Sequence, residues 1–272
     1  TYPDAEGAHV HRQQASHWLQ RAKLPGHAGA HYPPGVLCTA DPSCHQDLME
    51  PRVRVEAAAH QGFAWAQCDL RCLMLEGSGG RHDETGARHW LDLAAQQGLA
   101  EAQWLCGLMA LEGRGGERDL PTAVKLFKLA ATQGWPNGEF MLGVVYYRGW
   151  GIKQSMALTM HWWRKAALHG QMEAQYNLGL LYARGQGGAA ADLGKAYAWL
   201  EVARRNGKSE AATLLRQARA GMDAGQRAEA DMQVERLHAM LHGEGSHDNN
   251  VVALKPHGEA ATEEARRSLP RR

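Results

Sequence analysis

Apolar and polar positions along this chain follow helical spacing, and the pattern itself recurs. From Glu173 to Ala183 the apolar side chains fall three and four residues apart, which predicts a helix that stops at Gly185, Gly187 and Gly188. A second helical stretch follows, rich in paired small residues such as Ala94-Ala95, Ala130-Ala131 and Ala166-Ala167 that let helices approach closely, and it too ends in glycine. These closing glycines are Gly26, Gly62, Gly98, Gly134, Gly170 and Gly207, separated by 36, 36, 36, 36 and 37 residues. Each period therefore holds two helices, A and then B.

Other columns keep the same register. Eight residues before the glycines stand Trp18, Trp90, Leu126, Trp162 and Trp199, with Arg54 the exception; nine residues after them stand Gly35, Gly107, Gly143 and Gly179, with Arg71 the exception. Tyr146 and Tyr182 share a further column. Asp47, Asp83, Asp119, Ser155 and Asp192 open each helix B, where a short acceptor side chain binds free N–H groups. Glycine at the end of helix B supplies a left-handed cap. The extra residue of the last period falls between Gly185 and Trp199, in a loop that can absorb it.

Ala174, Leu178, Gly179, Tyr182, Gly185, Gly187, Asp192, Ala196, Trp199, Ala203 and Gly207 follow, column by column, a pattern that resembles the Sel-1-like repeats, relatives of the tetratricopeptide repeats. The resemblance covers about residues 9 to 220. It implies an all-α fold, a right-handed α/α superhelical solenoid of about five helix-turn-helix units. The expected organisation is a half-repeat with helix B only at 1–25, a degenerate repeat at 26–61, and repeats at 62–97, 98–133, 134–169 and 170–206. Capping helices at 207–242 and a disordered tail at 243–272 complete it. Pro33 and Pro34 disrupt helix A of the degenerate unit, and Asp223 to Gln226 reads as a capping box.

Composition adds exclusions. Thirty basic residues balance twenty-nine acidic ones, which gives no field to draw in a phosphate backbone, so nucleic acid is not an expected partner. The longest apolar stretch, around Phe140 to Tyr147, is far short of the roughly 20 residues that span a bilayer. Five cysteines, Cys38, Cys44, Cys68, Cys72 and Cys106, are too few and too uneven for a disulfide lattice, and they favour a reducing, cytoplasmic setting. The chain opens at Thr1 without Met, so a periplasmic or secreted setting follows if a signal segment was removed. Arg-rich, Lys-poor composition and the family's distribution point to a bacterial protein.

Chemistry at motif spacing is sparse. The glycine runs at Gly77 to Gly80 and Gly113 to Gly116 follow helices and recur with the period, so they read as inter-helix turns. Gly207-Lys208-Ser209 only mimics the end of a phosphate loop. His60, His89, His161 and His169 lie along helix B and near its ends, as surface residues without a partner at zinc spacing. Cys38, Cys44 and His45, with His31, form the one constellation resembling a metal site; free thiols, a local disulfide and a metal are the three readings, in that order. No nucleophile, base and orienting acid share a motif, so no enzymatic activity and no cofactor are expected.

Resemblance to tetratricopeptide repeats implies a concave groove lined by helix A, with contacts from columns three, six, ten, thirteen and fourteen after each glycine. These supply Glu101, Trp104, Phe140, Tyr147, Arg148, Glu173, Tyr176 and Arg184 as partner-binding candidates. Column six reads in two ways, as an aromatic groove stripe or as packing between repeats. The implied function is a protein-protein interaction scaffold, monomeric, binding a partner protein or peptide. An inhibitor or immunity-type protein that blocks one effector enzyme has the same pattern, and a thiol or metal sensor is the third reading. EDTA is expected to leave the melting temperature unchanged; a fall of many degrees in a thermal melt would assign Cys38, Cys44 and His45 to a structural metal.

Overall fold

The computed structural model describes residues 49–186 and 191–242. Among the described residues the chain forms eleven helices and no strand: α1 Met49–His60, α2 Ala64–Glu76, α3 Glu84–Gln96, α4 Ala100–Glu112, α5 Leu120–Thr132, α6 Pro136–Arg148, α7 Met156–Leu168, α8 Met172–Arg184, α9 Leu193–Arg205, α10 Ala211–Ala220 and α11 Ala224–His242. From α1 to α10 each packs on the next in chain order, helix A on its own helix B and helix B on the following helix A, as an α/α solenoid, and α11 packs back on α9. The segments before residue 49 and after residue 242, with Pro33, Pro34 and the expected tail, lie outside the described residues.

Helix boundaries follow from local chemistry. The side chains of Asp83, Asp119, Ser155 and Asp192 accept from the amides of Gly86, Thr122, Leu158 and Lys195 at 2.8, 3.0, 3.3 and 2.9 Å. Each satisfies one of the N–H groups left over at a helix start, an arrangement worth about 1 kcal/mol. At α11 the expected box is complete, since Gln226 N–H donates to Asp223 Oδ1 at 2.8 Å and Asp223 N–H to Gln226 Oε1 at 3.0 Å. Helix B ends where Gly62, Gly98, Gly134, Gly170 and Gly207 take φ between 76° and 105°, a left-handed turn that a side chain would strain. The extra residue is absorbed as expected: the N-cap amide bonds the same helix A column at Met74, Ala110, Tyr146 and Tyr182, while the last connection is one residue longer.

Helices A and B touch at the glycine column. A methyl placed on Gly107 would meet the Phe127 ring at 2.6 Å, one on Gly179 would meet Leu200 at 2.5 Å, and one on Gly143 would strike Trp163. The facing column is thus Leu91, Phe127, Trp163 and Leu200, all at most 4% exposed. It stands one residue beyond the conspicuous Trp90, Leu126 and Trp162, which are only half-buried. One residue rotates a side chain by about 100° around the helix, which is why the core column is the plainer neighbour. Burying each of these side chains contributes roughly 1.5–3 kcal/mol.

A polar rung ties each unit to the one before it. Gln67, Gln103 and Gln175 donate Nε2–H to the carbonyls of Ala59, Ala95 and Ala167 at 3.1, 3.2 and 3.0 Å, across to the preceding helix B. Their Oε1 atoms accept from Gln97, Gln133 and Asn206 at 2.9, 2.8 and 2.9 Å, at the end of the unit's own helix B. Three helices meet at each rung, and both functions of a buried amide are satisfied. In the unit between the Gln103 and Gln175 rungs, Glu139 and His169 hold the equivalent positions.

Gly143→Ala is expected to lower unfolding stability by about 1–3 kcal/mol in urea melts, because the added methyl must displace Trp163 from its seat.

Candidate partner-binding surface

The eight side chains expected on the helix A wall separate into packed and free. Trp104 is 3% exposed and Phe140 9% exposed, so both belong to the core and offer a partner almost no surface. Phe140 stacks on Trp163 of its own unit, ring centroids 6.1 Å apart, and its carbonyl accepts the Trp163 indole N–H at 3.2 Å. Tyr176 packs on the cluster of Leu200, Ala211 and Leu215. Phe140 thus packs inside its own unit, and Tyr176 packs on its own helix B and on the following helix. Tyr147 is half-buried and tilts against Trp163 at 5.5 Å.

Glu173 is only 13% exposed and accepts from Lys208 Nζ at 2.9 Å. Lys208 also pairs with Glu210 at 2.5 Å and lies 5.4 Å from the Tyr176 ring centre. Two carboxylates and an aromatic face compensate a lysine that is 7% exposed, a group otherwise costly to bury. Lys208 was absent from the expected wall. Its signal in the sequence is that a single charge stands in a column otherwise occupied by Phe63, Leu99, Trp135 and Gln171.

Glu101 lies beside Cys68, Asp69 and Arg71 of the preceding unit. Burial first, and then the Glu101 charge, push the Asp69 carboxyl from 3.8 up to about 7, against the lowering effect of Arg71. Burial and Glu101 likewise raise the Cys68 thiol, and burial with Asp92 raises Cys106, so neither forms a reactive thiolate. Arg71, which replaces the column glycine here, donates from Nη2 to Cys72 Sγ at 3.0 Å. Cys68, Cys72 and Cys106 are free, and no group of three or more metal-binding side chains occurs among the described residues. Cys38, Cys44 and His45 lie outside them.

Arg148 and Arg184 are the exposed members. They close α6 and α8, one unit apart in the same column, where the negative end of a helix dipole favours a cation. Arg148 lies over the Tyr147 ring at 5.7 Å, and neither guanidinium pairs with a carboxylate among the described residues. Glu76 and Glu112 hold the same column in the two preceding units.

The pattern that describes the Sel1 repeat matches residues 63–99, 100–135, 136–171 and 173–208. The chain belongs to the Sel1 repeat family. Sel1 repeat proteins generally mediate protein-protein interaction and are generally non-catalytic scaffolds. A Sel1 repeat protein from Oxalobacter formigenes is similar in structure, with a TM-score of 0.59 and 26% identity over 68% of this chain and 76% of that one. A protective antigen of uropathogenic Escherichia coli strains with the same type of fold, named c5321, gives 0.48 and 20% over 81% and 52%. The immunity protein Pa5087 from Pseudomonas aeruginosa gives 0.45 and 18% over 84% and 81%. A comparison with curated proteins found no match. No helix among the described residues of this Sel1 array is long and apolar enough to cross a membrane.

Asp69 contributes stability that is full below its ordinary 3.8 and is lost as pH rises through about 7. Asp69→Asn is therefore expected to melt higher than the parent at alkaline pH and level with it in acid, as read by thermal melts across that range.

Proposed function

We propose that this Sel1 array is a non-enzymatic scaffold whose helix A wall holds an extended segment of a partner protein, with Arg148 and Arg184 gripping carboxylates along it. The carrying observation is the pair of exposed guanidinium groups at the ends of successive A helices, without carboxylate partners among the described residues. A planar guanidinium matches a carboxylate with two parallel hydrogen bonds, which gives register as well as affinity. Glu76 and Glu112 precede them in the same column, so a segment carrying basic and then acidic side chains is favoured over a polyanion. Tyr147, half-buried beside Arg148, adds aromatic area of the kind found at binding hot spots.

The test places a photo-crosslinking side chain at position 148 or 184, and for comparison at Lys128 on a helix B, and identifies what each captures. Arg148→Glu with Arg184→Glu should cut the affinity of the captured protein about tenfold or more, while leaving unfolding stability within about 0.5 kcal/mol. Undiminished affinity in the double reversal removes the helix A wall as the site.

A further inference from the structure

One polar rung of the solenoid is built from different chemistry. Where Gln67, Gln103 and Gln175 each donate to one carbonyl and accept from one amide, the third unit carries Glu139, 1% exposed, with His169 as its partner. Glu139 Oε2 lies 2.7 Å from His169 Nδ1, so this half of the rung is intact. Glu139 Oε1, the atom that corresponds to the donating amide nitrogen of the glutamines, is buried without a hydrogen-bond partner. The carbonyl in register, eight residues back, is that of Ala131. In the other units the equivalent carbonyls of Ala59, Ala95 and Ala167 take both the amide of the closing glycine and the glutamine side chain; Ala131 takes the Gly134 amide at 3.1 Å.

A carboxylate has only acceptors, so an ionised Glu139 would set a charged oxygen against a carbonyl oxygen in a buried site. A protonated carboxyl has one O–H donor and one carbonyl acceptor, which matches the one bond donated and the one accepted by each glutamine of the other rungs. The charges around it come mainly from one helix: His161, Lys165 and His169, all of α7 or its cap, favour ionisation. The charged residues of α5 are Lys125 and Lys128, both exposed; those of α4 are Glu101 and Glu112, and those of α8 are Glu173 and Arg184. Burial outweighs the histidine and lysine, and the carboxyl is held above its usual 4.5.

We propose that Glu139 is a proton-binding site in which the neutral carboxyl donates through Oε1 to the Ala131 carbonyl and accepts at Oε2 from neutral His169, completing the rung. The joint between units 98–133 and 134–169 is then tight while the proton is bound and weakened when it leaves to solvent. The three joints that use glutamine have no such proton to lose. An ion pair of Glu139 with protonated His169 is the competing arrangement, and it leaves Oε1 unsatisfied.

The two arrangements give opposite signs in one experiment. An acid whose folded pKa is raised contributes stability that is present below its unfolded value, here 4.5, and is lost as pH rises through the folded value. Glu139→Gln supplies the donor permanently. In the full chain its melting temperature should match the parent at about pH 4 and exceed it by about 2–4 °C at neutral pH, the size of one regained hydrogen bond. A variant that melts lower than the parent at neutral pH would establish the ion pair and overturn the proposal, as would a difference of zero at every pH. A second reading uses the parent chain alone: with 13C-carboxyl-labelled glutamate, one signal should hold a protonated chemical shift above the range of the other glutamates. Absence of such a signal would equally overturn it.

Discussion

The solenoid depends on one contact repeated along the chain, the seating of a helix B side chain against a helix A glycine. Gly107 faces Phe127, Gly143 faces Trp163 and Gly179 faces Leu200, and in each case a methyl on the glycine would collide. A glycine inside a helix costs about 1 kcal/mol of propensity relative to alanine. Burial of the opposing side chain, made possible by the closer approach of the backbones, offsets that cost. The 36-residue period is the record of this contact, since the glycine and the residue it receives must recur together.

Between units a different chemistry operates. Apolar packing alone would let neighbouring helix pairs slide, whereas the Gln67, Gln103 and Gln175 rungs bind three helices in a single register. A buried amide is suited to this because it donates and accepts at fixed geometry, and a misplaced one would leave unsatisfied groups in the core. Glu139 and His169 preserve the shape of the rung and change its proton count. A chemically neutral joint thereby becomes one whose strength is set by a single ionisable group.

What is free to meet a partner is what these two systems leave over. Phe140 is taken by Trp163, Tyr176 by the cluster around Leu200 and Glu173 by Lys208, so three attractive candidates are already engaged within the molecule. Arg148 and Arg184, the last residues of α6 and α8, stay at the surface. Cys68 and Cys106 are likewise engaged, buried and with their thiols raised by burial.

The period, the helix pairs, the Asp83, Asp119, Ser155 and Asp192 caps and the left-handed glycines were legible along the chain, because each rests on interactions within a few residues. Lys208, the rungs and the true core column were not. Gln67 and Ala59 are close in sequence, but that the amide of Gln67 points across to the Ala59 carbonyl depends on how two helices cross. Trp90 and Trp162 stand in the column that the sequence singles out, yet their neighbours Leu91 and Trp163 are the buried ones, Trp163 against Gly143, a choice made by the rotation of helix B on helix A. The candidate surface was legible only as a set of columns, and tertiary packing divided that set. Periodicity places a side chain on a helix face; only the neighbouring helix determines whether that face is covered, because burial is a property of two surfaces and the sequence spells out one at a time.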